Sequence, residues 1–498
     1  MTHIAKGPPR AWENYHETVR QQVSRLQFID IDPSETAARR LATTARLVGD
    51  ELAHGADVRP LGAAWSFSKL AQTDGSVLAT GPTAGVYPID PAMVGGGAAA
   101  SRLRLVTGGT RIKQLNTALD AASLSLRTSG ASNGQSIAGA MATGTHGSVP
   151  TAGGFQDHVR GIHLVTGPGR SIWLEPAGAG MLDEGFVRSF ADEVVRRDDL
   201  FQAALVHLGG LGYVNGVLFE AVPRFLVGIV QRKRILDRDA VEQLARGDFG
   251  GFAGRFGFSD PYFVQVILNP FNPYNRHALV RLLVPVPEIV LTELFFLDRI
   301  FDFDPLNILG DVIALLPPGA RGEMISILMR KLYPELPRDG DPPPAVSWGS
   351  TTPDHKKVGD LYSTGISIER ARLPEALDAM LPAFRRNDGG DAVCTLRFVA
   401  KSGGTLAITR FEHNVVVDFD GLRTRASARA YKRVMDALDA AGIPSRQHWG
   451  KLSLLDAARV RRDHSQAVDD WSSARSELLS PQMAAVFRSQ ALIDWGLA

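Results

Sequence analysis

Residues 128–148 read Thr-Ser-Gly-Ala-Ser-Asn-Gly-Gln-Ser-Ile-Ala-Gly-Ala-Met-Ala-Thr-Gly-Thr-His-Gly-Ser, a run dominated by glycine, alanine and hydroxyl side chains. Small residues and hydroxyls let backbone N–H groups approach an anion closely, as in a nest around a phosphate. Two other segments share that logic: Arg-Pro-Leu-Gly-Ala-Ala-Trp-Ser-Phe-Ser at 59–68 and His-Leu-Gly-Gly-Leu-Gly-Tyr-Val-Asn-Gly-Val at 207–217. Singly, each reads more simply as a glycine turn that serves only the geometry between strands. Gly210-Leu-Gly212 lacks the spacing of a Rossmann fingerprint, and no Walker-type GxxxxGK[ST] occurs. Taken together the three segments look like walls of one dinucleotide site.

The chain has 498 residues, enough for more than one core. Its 54 Lys and Arg against 53 Asp and Glu give no overall field toward nucleic acid or an anionic membrane, so charged recognition must be local. The single cysteine, Cys394, excludes an intramolecular disulfide, a CxxC pair and a cysteine-based zinc site. No metal site is expected. The first ten residues lack the apolar core of a secretory signal, and the stretch 280–297 is broken by Arg281, Glu288, Glu293, Pro285 and Pro287, a poor membrane span. A soluble cytoplasmic protein is expected.

Short apolar runs alternating with glycine-rich turns and occasional helices predict an α+β chain. Ala37, Leu41, Ala45 and Val48 predict a helix across 34–53, followed by a strand at 58–62. Alternation over Arg102-Leu-Arg-Leu-Val106 predicts a half-buried strand, after which Thr110 stands where a helix N-cap would, before Ile112, Leu115, Leu119 and Ala122. The proline-rich 334–344 predicts an exposed loop; Tyr431, Val434, Met435 and Leu438 predict a helix over 430–441, stopped by Gly442 and Pro444. The charge runs at 196–199 and 461–463 read as solvated helix faces.

The order and wording of the motifs add more. Ser-Ile-Ala-Gly-Ala-Met-Ala-Thr-Gly-Thr-His-Gly-Ser at 136–148, preceded by Gly108-Gly-Thr-Arg111 and followed by Asp-His-Val-Arg-Gly-Ile-His-Leu-Val-Thr at 157–166, closely resembles the FAD-binding domain of the vanillyl-alcohol oxidase superfamily. More narrowly it is similar to the aldonolactone and alditol oxidase branch. The resemblance runs from about Trp12 to Arg224 and returns with His448-Trp-Gly-Lys451, the branch's HWxK motif. It implies a PCMH-type FAD-binding domain of two α+β subdomains at 1–224, an α+β cap over the substrate at 225–420, and a C-terminal segment, 421–498, that returns to the cofactor. By the same carry-over the backbone of Leu61, Gly62, Ala63, Ala64, Trp65 and Ser66 cradles the pyrophosphate. Ser136, Gly139, Thr143, Gly144, Thr145 and His146 line the rest, and Val214 touches the adenine side. Within so small-residue a run His146 reads equally as a hydrogen-bonded structural histidine.

Two positions depart from the family. The branch's first loop reads Gly-x-Gly-His-Ser, whose His is the usual covalent tether to the flavin; here the loop is Gly62-Ala-Ala-Trp-Ser66, and an indole offers no equivalent nucleophile. A non-covalent FAD is expected. The other tether known in the superfamily is a cysteine, but Cys394 reads as a small buried core residue. The second departure is Val393-Cys-Thr-Leu-Arg-Phe398, where the family strand resembles Val-Glu-Val-Arg-Phe: Arg397 is kept and Thr395 replaces the Glu. An arginine beside the flavin stabilises the charge that develops on hydride uptake, whereas losing the carboxylate removes a partner for a sugar hydroxyl.

These residues imply an FAD-dependent oxidoreductase acting on a hydroxyl-bearing carbon of a small molecule, with dioxygen or another acceptor reoxidising the flavin. Arg397 and Lys451 give electrostatic support, and His448 orients the lysine loop or acts as a base. Glu369 is a weaker candidate, for which surface pairing with Arg370 or Arg372 is the plainer account. Two other functions fit the same residues: a flavin-dependent oxidase or cyclase of a specialised metabolite, to whose apolar pocket the residues of 252–332 would contribute, and a redox-inactive flavin-binding scaffold. The polarity of the side chains at the substrate end separates them.

Overall fold

Three sheets organise the computed structural model, which describes residues 3–32, 34–54, 58–95, 99–271, 277–287, 333–338, 340–351, 360–386 and 390–498, with positions 320, 323–325, 327, 329 and 331. In the first, the strands run in the order His3–Lys6, Arg25–Asp30, Ser76–Ala79 and Val58–Leu61. Val58–Leu61 lies parallel to Ser76–Ala79, so loop 62–66 leaves from the carboxyl end of a parallel strand, where open α/β sheets bind ligands. The helix before it spans Ala37–Ala53; the Thr36 side chain caps it by accepting the Arg39 N–H, and Leu41, Ala45, Val48 and Leu52 are buried at helical spacing.

The second sheet has the order Glu193–Arg196, Arg170–Glu175, Val159–Gly167, Tyr213–Glu220, Leu103–Thr107 and Val86–Pro88. Leu103–Thr107 is an interior strand buried along its whole length, not the half-buried one its alternation predicts. Arg104 tolerates this by folding back, its Nη1 donating to the carbonyls of Ser101 at 3.0 Å and Leu103 at 2.7 Å. In the next helix, Ile112–Ala121, the N-cap position is Arg111 instead of Thr110, and the Gln114 side chain accepts the Arg111 N–H at 2.8 Å. The Thr110 hydroxyl is engaged elsewhere: it accepts the Gly85 N–H at 2.9 Å and meets the Gly85 carbonyl at 3.0 Å.

The third sheet is eight-stranded, in the order Ala345–Ser347, Leu226–Ile235, His277–Val286, Phe263–Leu268, Ala392–Ala400, His413–Leu422, Leu361–Glu369 and Ser445–Gln447. One face packs on the helices Arg238–Arg246, Leu373–Arg385 and Arg425–Ala440 through Cys394, Leu396, Phe398, Val415, Val417 and Phe419. Side chains alternate along a strand, so Thr395, Arg397, Asp418 and Asp420 occupy the opposite face. After Ser445–Gln447 the chain crosses to the first core, where Trp449, Val460, Trp471, Phe487, Leu492 and Trp495 pack with Ile112, Ile137, Leu164 and Val217.

The predicted helix over 430–441 is the later part of Arg425–Ala440 with its C-cap Ala441, and the helix starts five residues earlier than predicted; Gly442 follows with φ +61°. The proline-rich segment is mostly exposed but not a free loop: the Leu336 backbone exchanges both hydrogen bonds with Gln231. Of the stretch 280–297, the first part belongs to the strand His277–Val286 and residues 288–297 lie outside the described residues, as does much of 252–332. Among the described residues no helix is long and apolar enough to cross a membrane. The run at 196–199 straddles a strand end and the first turn of the helix Asp198–Leu205, with Arg197 paired to Asp199 and Glu477.

Candidate active site

The loop 62–66 carries the simplest unanswered chemistry in the molecule. Among the described residues none of its five backbone N–H groups donates a hydrogen bond to the protein. Backbone donors left without partners mark a place where an anion or water completes them. The loop's shape is fixed from outside: Ala64 sits at φ +59° with its carbonyl accepting the Tyr15 N–H at 2.8 Å, and the Ser66 carbonyl accepts from Asn14 Nδ2 at 2.7 Å. Gly62 is pressed against the small-residue run, since a Cβ there would lie 1.9 Å from Ser136 Oγ. That Oγ caps the helix Ile137–Ala142 by accepting the Gly139 N–H.

Trp65 stacks flat on Tyr15, with ring centroids 4.5 Å apart and planes 6° from parallel, while His16 stacks on Phe67 at 3.8 Å. Gly134 leaves room for the indole: its Cβ would lie 2.3 Å from Trp65 Cζ2. The HWGK turn is tied directly to this loop. Gly450 O accepts the Phe67 N–H at 2.8 Å and the Ser66 hydroxyl at 3.3 Å, and a Cβ on Gly450 would meet Thr143 at 3.0 Å. Segments from three distant parts of the sequence therefore meet at one point.

They line one cavity of about 390 Å³. Leu61, Gly62, Ala63, Ala64, Trp65, Ser66, Ser136, Gly139, Thr143, Thr145, His146, Val214, Arg397, His448 and Lys451 all border it. Gly144 does not; it makes the adjoining turn at φ +67°. Glu369 ends its strand, exposed and away from the cavity, while Arg372 pairs with Glu375. Tyr15, His16, Gln135, Ser363, Asp418 and Asp420 also border the cavity and were not expected from the sequence. Gln135 presents an Oε1 with no hydrogen-bond partner.

At the end formed by the eight-stranded sheet, Asp418 binds both basic residues. Arg397 Nε donates to Oδ2 at 2.8 Å and Lys451 Nζ lies 2.9 Å from Oδ1, with the Asp418 side chain 1% exposed. With the Gln265 amide oriented oxygen-first, its oxygen accepts from both Arg397 Nη atoms at 3.0 and 3.2 Å. Lys451 also donates to the Thr364 carbonyl at 3.3 Å, and Asp420 Oδ1 stands 3.8 Å away, accepting from Ser363 Oγ at 2.6 Å. Burial alone would raise the Asp418 carboxyl, but Lys451 and Arg397 hold it well below the usual carboxylate range. Asp420 is shifted upward by burial and by the Asp418 charge, against the pull of Lys451.

Two histidines face each other here, their rings 5.6 Å apart. Burial, reinforced by Arg397 and Lys451, lowers His146 to about 4, and burial beside His146 and Lys451 holds His448 well below the ordinary histidine value, so both are neutral at physiological pH. Their tautomers are opposite. His146 Nδ1 lies 3.1 Å from the Gly147 carbonyl and must carry the proton, leaving a lone pair on Nε2; His448 Nδ1 accepts the Gly450 N–H at 3.0 Å, leaving Nε2 protonated. His448 Nδ1 thus holds the lysine turn through the Gly450 N–H, and its ring borders the cavity. Cys394, on the opposite face of its strand, is fully buried, and burial drives its thiol pKa up.

This arrangement suits a dinucleotide with a ring system: unpartnered amides and small residues at one end, paired charges at the other. The family comparison agrees. Residues 38–175 match the FAD binding domain family. Over 393 residues the chain is 26% identical to the alditol oxidase of a Streptomyces species, covering 74% of this chain and 76% of that protein. Over 195 residues it is 28% identical to an L-gulono-1,4-lactone dehydrogenase of Mycobacterium tuberculosis, covering 39% of each. It is 32% identical to a Neurospora crassa relative over 151 residues, spanning 24% of that protein's length. The fold matches the crystal structure of cholesterol oxidase from B. sterolicum with a TM-score of 0.70 at 14% identity, covering 99% of this chain and 97% of the other. Residues 38–175 are thus an FAD-binding domain by their family match, in a chain similar to relatives named for alditol oxidation and for L-gulono-1,4-lactone dehydrogenation.

Proposed function

We propose that this protein binds FAD without a covalent bond and oxidises a hydroxyl-bearing carbon of a small molecule, as an oxidase or dehydrogenase. The observation that carries the reading is that one cavity joins the amides of 62–66, unpartnered among the described residues, to the Arg397, Asp418 and Lys451 cluster. When bound, FAD supplies the hydride acceptor, which dioxygen or another oxidant then regenerates. The amides of 62–66 hold the pyrophosphate; Ser136, Gly139, Thr143, Thr145 and His146 line the cofactor; Val214 lies toward the adenine. Trp65, stacked on Tyr15, grips the cofactor by packing where a tethering histidine would bond it. Arg397 and Lys451 place positive charge at the reacting end, where charge develops on hydride uptake. His146 Nε2 offers a neutral lone pair for the hydroxyl proton, and His448 Nε2–H steadies the substrate oxygen.

Polarity argues against the other two functions. Ser363, Arg397, Asp418, Asp420 and Lys451 at the substrate end suit a hydroxylated ligand better than an apolar natural product. A redox-inactive scaffold has no use for an Arg and a Lys both paired to one buried carboxylate at the same place. The lone buried thiol fits a reducing cytoplasm. Anaerobic mixing of the FAD-loaded protein with a panel of polyols, lactones and simple alcohols tests the reading: at least one should bleach the flavin's visible absorbance, and no bleaching with any of them refutes it.

A further inference from the structure

The strand that carries Arg397 has a threonine where the family's carboxylate stands, yet the cavity is not short of carboxylates. Thr395 pairs with Asp418 across the antiparallel ladder, and residues directly opposite in such a pair point to the same side of the sheet. Asp418 borders the cavity and Thr395 does not. On its other flank Asp418 pairs with Gly365, where a Cβ would stand 2.8 Å from Asp418 Oδ1 and 3.3 Å from Lys451 Cδ. A side chain at 365 would push both groups away, so the glycine is what lets the carboxylate and the lysine meet. Arg397 and Lys451 each take one oxygen of Asp418. A carboxylate accepts at about four lone-pair sites, so it keeps acceptor capacity for a ligand hydroxyl. Two residues on, on the same face, Asp420 is fixed by Ser363 and is 33% exposed.

We infer that Asp418 accepts a hydrogen bond from a second substrate hydroxyl, beside the one oxidised, and sets specificity, the carboxylate having moved one strand sideways from position 395, with Asp420 accepting a third hydroxyl toward the mouth. The ligand class is a molecule carrying at least three hydroxyls, and the inference rests on the oxidation proposed above. One strand spacing is about 4.8 Å, so the preferred hydroxyl pattern is displaced from that of an enzyme with its carboxylate at 395.

The test uses the FAD-loaded protein and three probes read from the flavin spectrum: xylitol, pentanol and sodium sulfite. Sulfite reports the charge beside the ring and needs no turnover. In Asp418→Asn the xylitol Kd should rise at least tenfold and the pentanol Kd stay within twofold, while sulfite binds at least tenfold more tightly because a negative charge is gone. The double variant Thr395→Glu/Asp418→Thr keeps the net charge and should return the sulfite Kd to within threefold of the parent. It also carries the comparison if Asp418→Asn does not accumulate as folded, yellow protein. Unchanged xylitol and sulfite binding in Asp418→Asn overturns the inference, as does a parent protein that binds pentanol but not xylitol. If neither alcohol nor any other substrate reduces the flavin, the oxidation reading falls, and the sulfite comparison still upholds or overturns the carboxylate's place at the ring.

Discussion

Thr395 and Asp418 stand opposite each other on neighbouring antiparallel strands, so a hydroxyl and a carboxylate share the side of the sheet that faces the cavity. The carboxylate is in turn the common partner of Arg397 and Lys451, which makes the basic pair a single electrostatic unit.

Arg397→Met should slow flavin reduction by roughly 10²–10³-fold at saturating substrate, the loss typical of removing one donor aimed at developing charge. Arg397→Lys keeps the charge but forfeits the paired contacts to Gln265 and Asp418, and should recover only part of that loss. Stopped-flow reduction of both variants, with FAD content checked by absorbance, measures this. Equal rates in Arg397→Met and parent would remove Arg397 from the chemistry.

Lys451→Glu sets a third carboxylate beside Asp418 and Asp420. Turnover should vanish, and with one partner of a buried pair reversed the melting temperature should fall, since breaking such a pair costs about 3–5 kcal/mol. Retained turnover would show that the lysine is only a surface charge.

Acid precipitation of the yellow protein should leave the flavin in the supernatant, because Trp65 stands at the tethering position. Trp65→Ala should weaken FAD binding by about tenfold, the stack on Tyr15 being worth about 0.5–1.5 kcal/mol beyond buried area. Equilibrium dialysis gives the constant; colour that stays with the pellet would contradict the non-covalent reading.

Gly62→Ala should abolish FAD retention, because the new Cβ falls 1.9 Å from Ser136 Oγ and displaces the loop. Adding Ser136→Ala removes that oxygen but leaves Ser136 Cβ at 3.0 Å and uncaps the helix Ile137–Ala142, so the rescue should be partial. Flavin content of the single and double variants decides it, and a fully yellow Gly62→Ala would show that the loop yields freely.

Stability should fall as pH drops from about 6.5 toward 4. Burial lowers His146, His158 and His207 to about 4 and His163 to about 3, so each is neutral when folded but protonates on unfolding in that window. The unfolded state then binds more protons, stability rises with pH, and it is lost on acidification. Near pH 5 unfolding should take up several protons, read from the slope of melting free energy against pH; a flat profile between pH 6.5 and 4.5 would contradict the burial of these rings.

The cofactor end was legible in the sequence because its signal is local: contiguous small residues at 62–66 and 136–148 act through backbone they carry themselves. Lys451 was legible for the same reason, lying inside a contiguous motif. Asp418, Asp420, Gln265 and Tyr15 were not, because their place depends on which strands pair across long separations. One trace existed: Asp418 and Asp420 are charges alternating with Val417 and Phe419 in a strand buried along most of its length. Thr110 and Arg104 failed for a related reason. Capping and alternation are rules for isolated segments, and here a neighbouring turn claimed the hydroxyl and a central place in the sheet buried the arginine.

Arg59, just before the cofactor loop, is buried and donates to the carbonyls of Leu70, Leu208, Gly209 and Phe487, the last 428 residues away. Leu70, Leu208 and Gly209 border the cavity, while Phe487 packs in the core with Trp449 and Trp471, so one guanidinium ties cavity wall to core. The cofactor loop is thus braced from the far end of the chain, and residues 38–175 expressed alone, without the segment around Phe487, should fail to retain FAD.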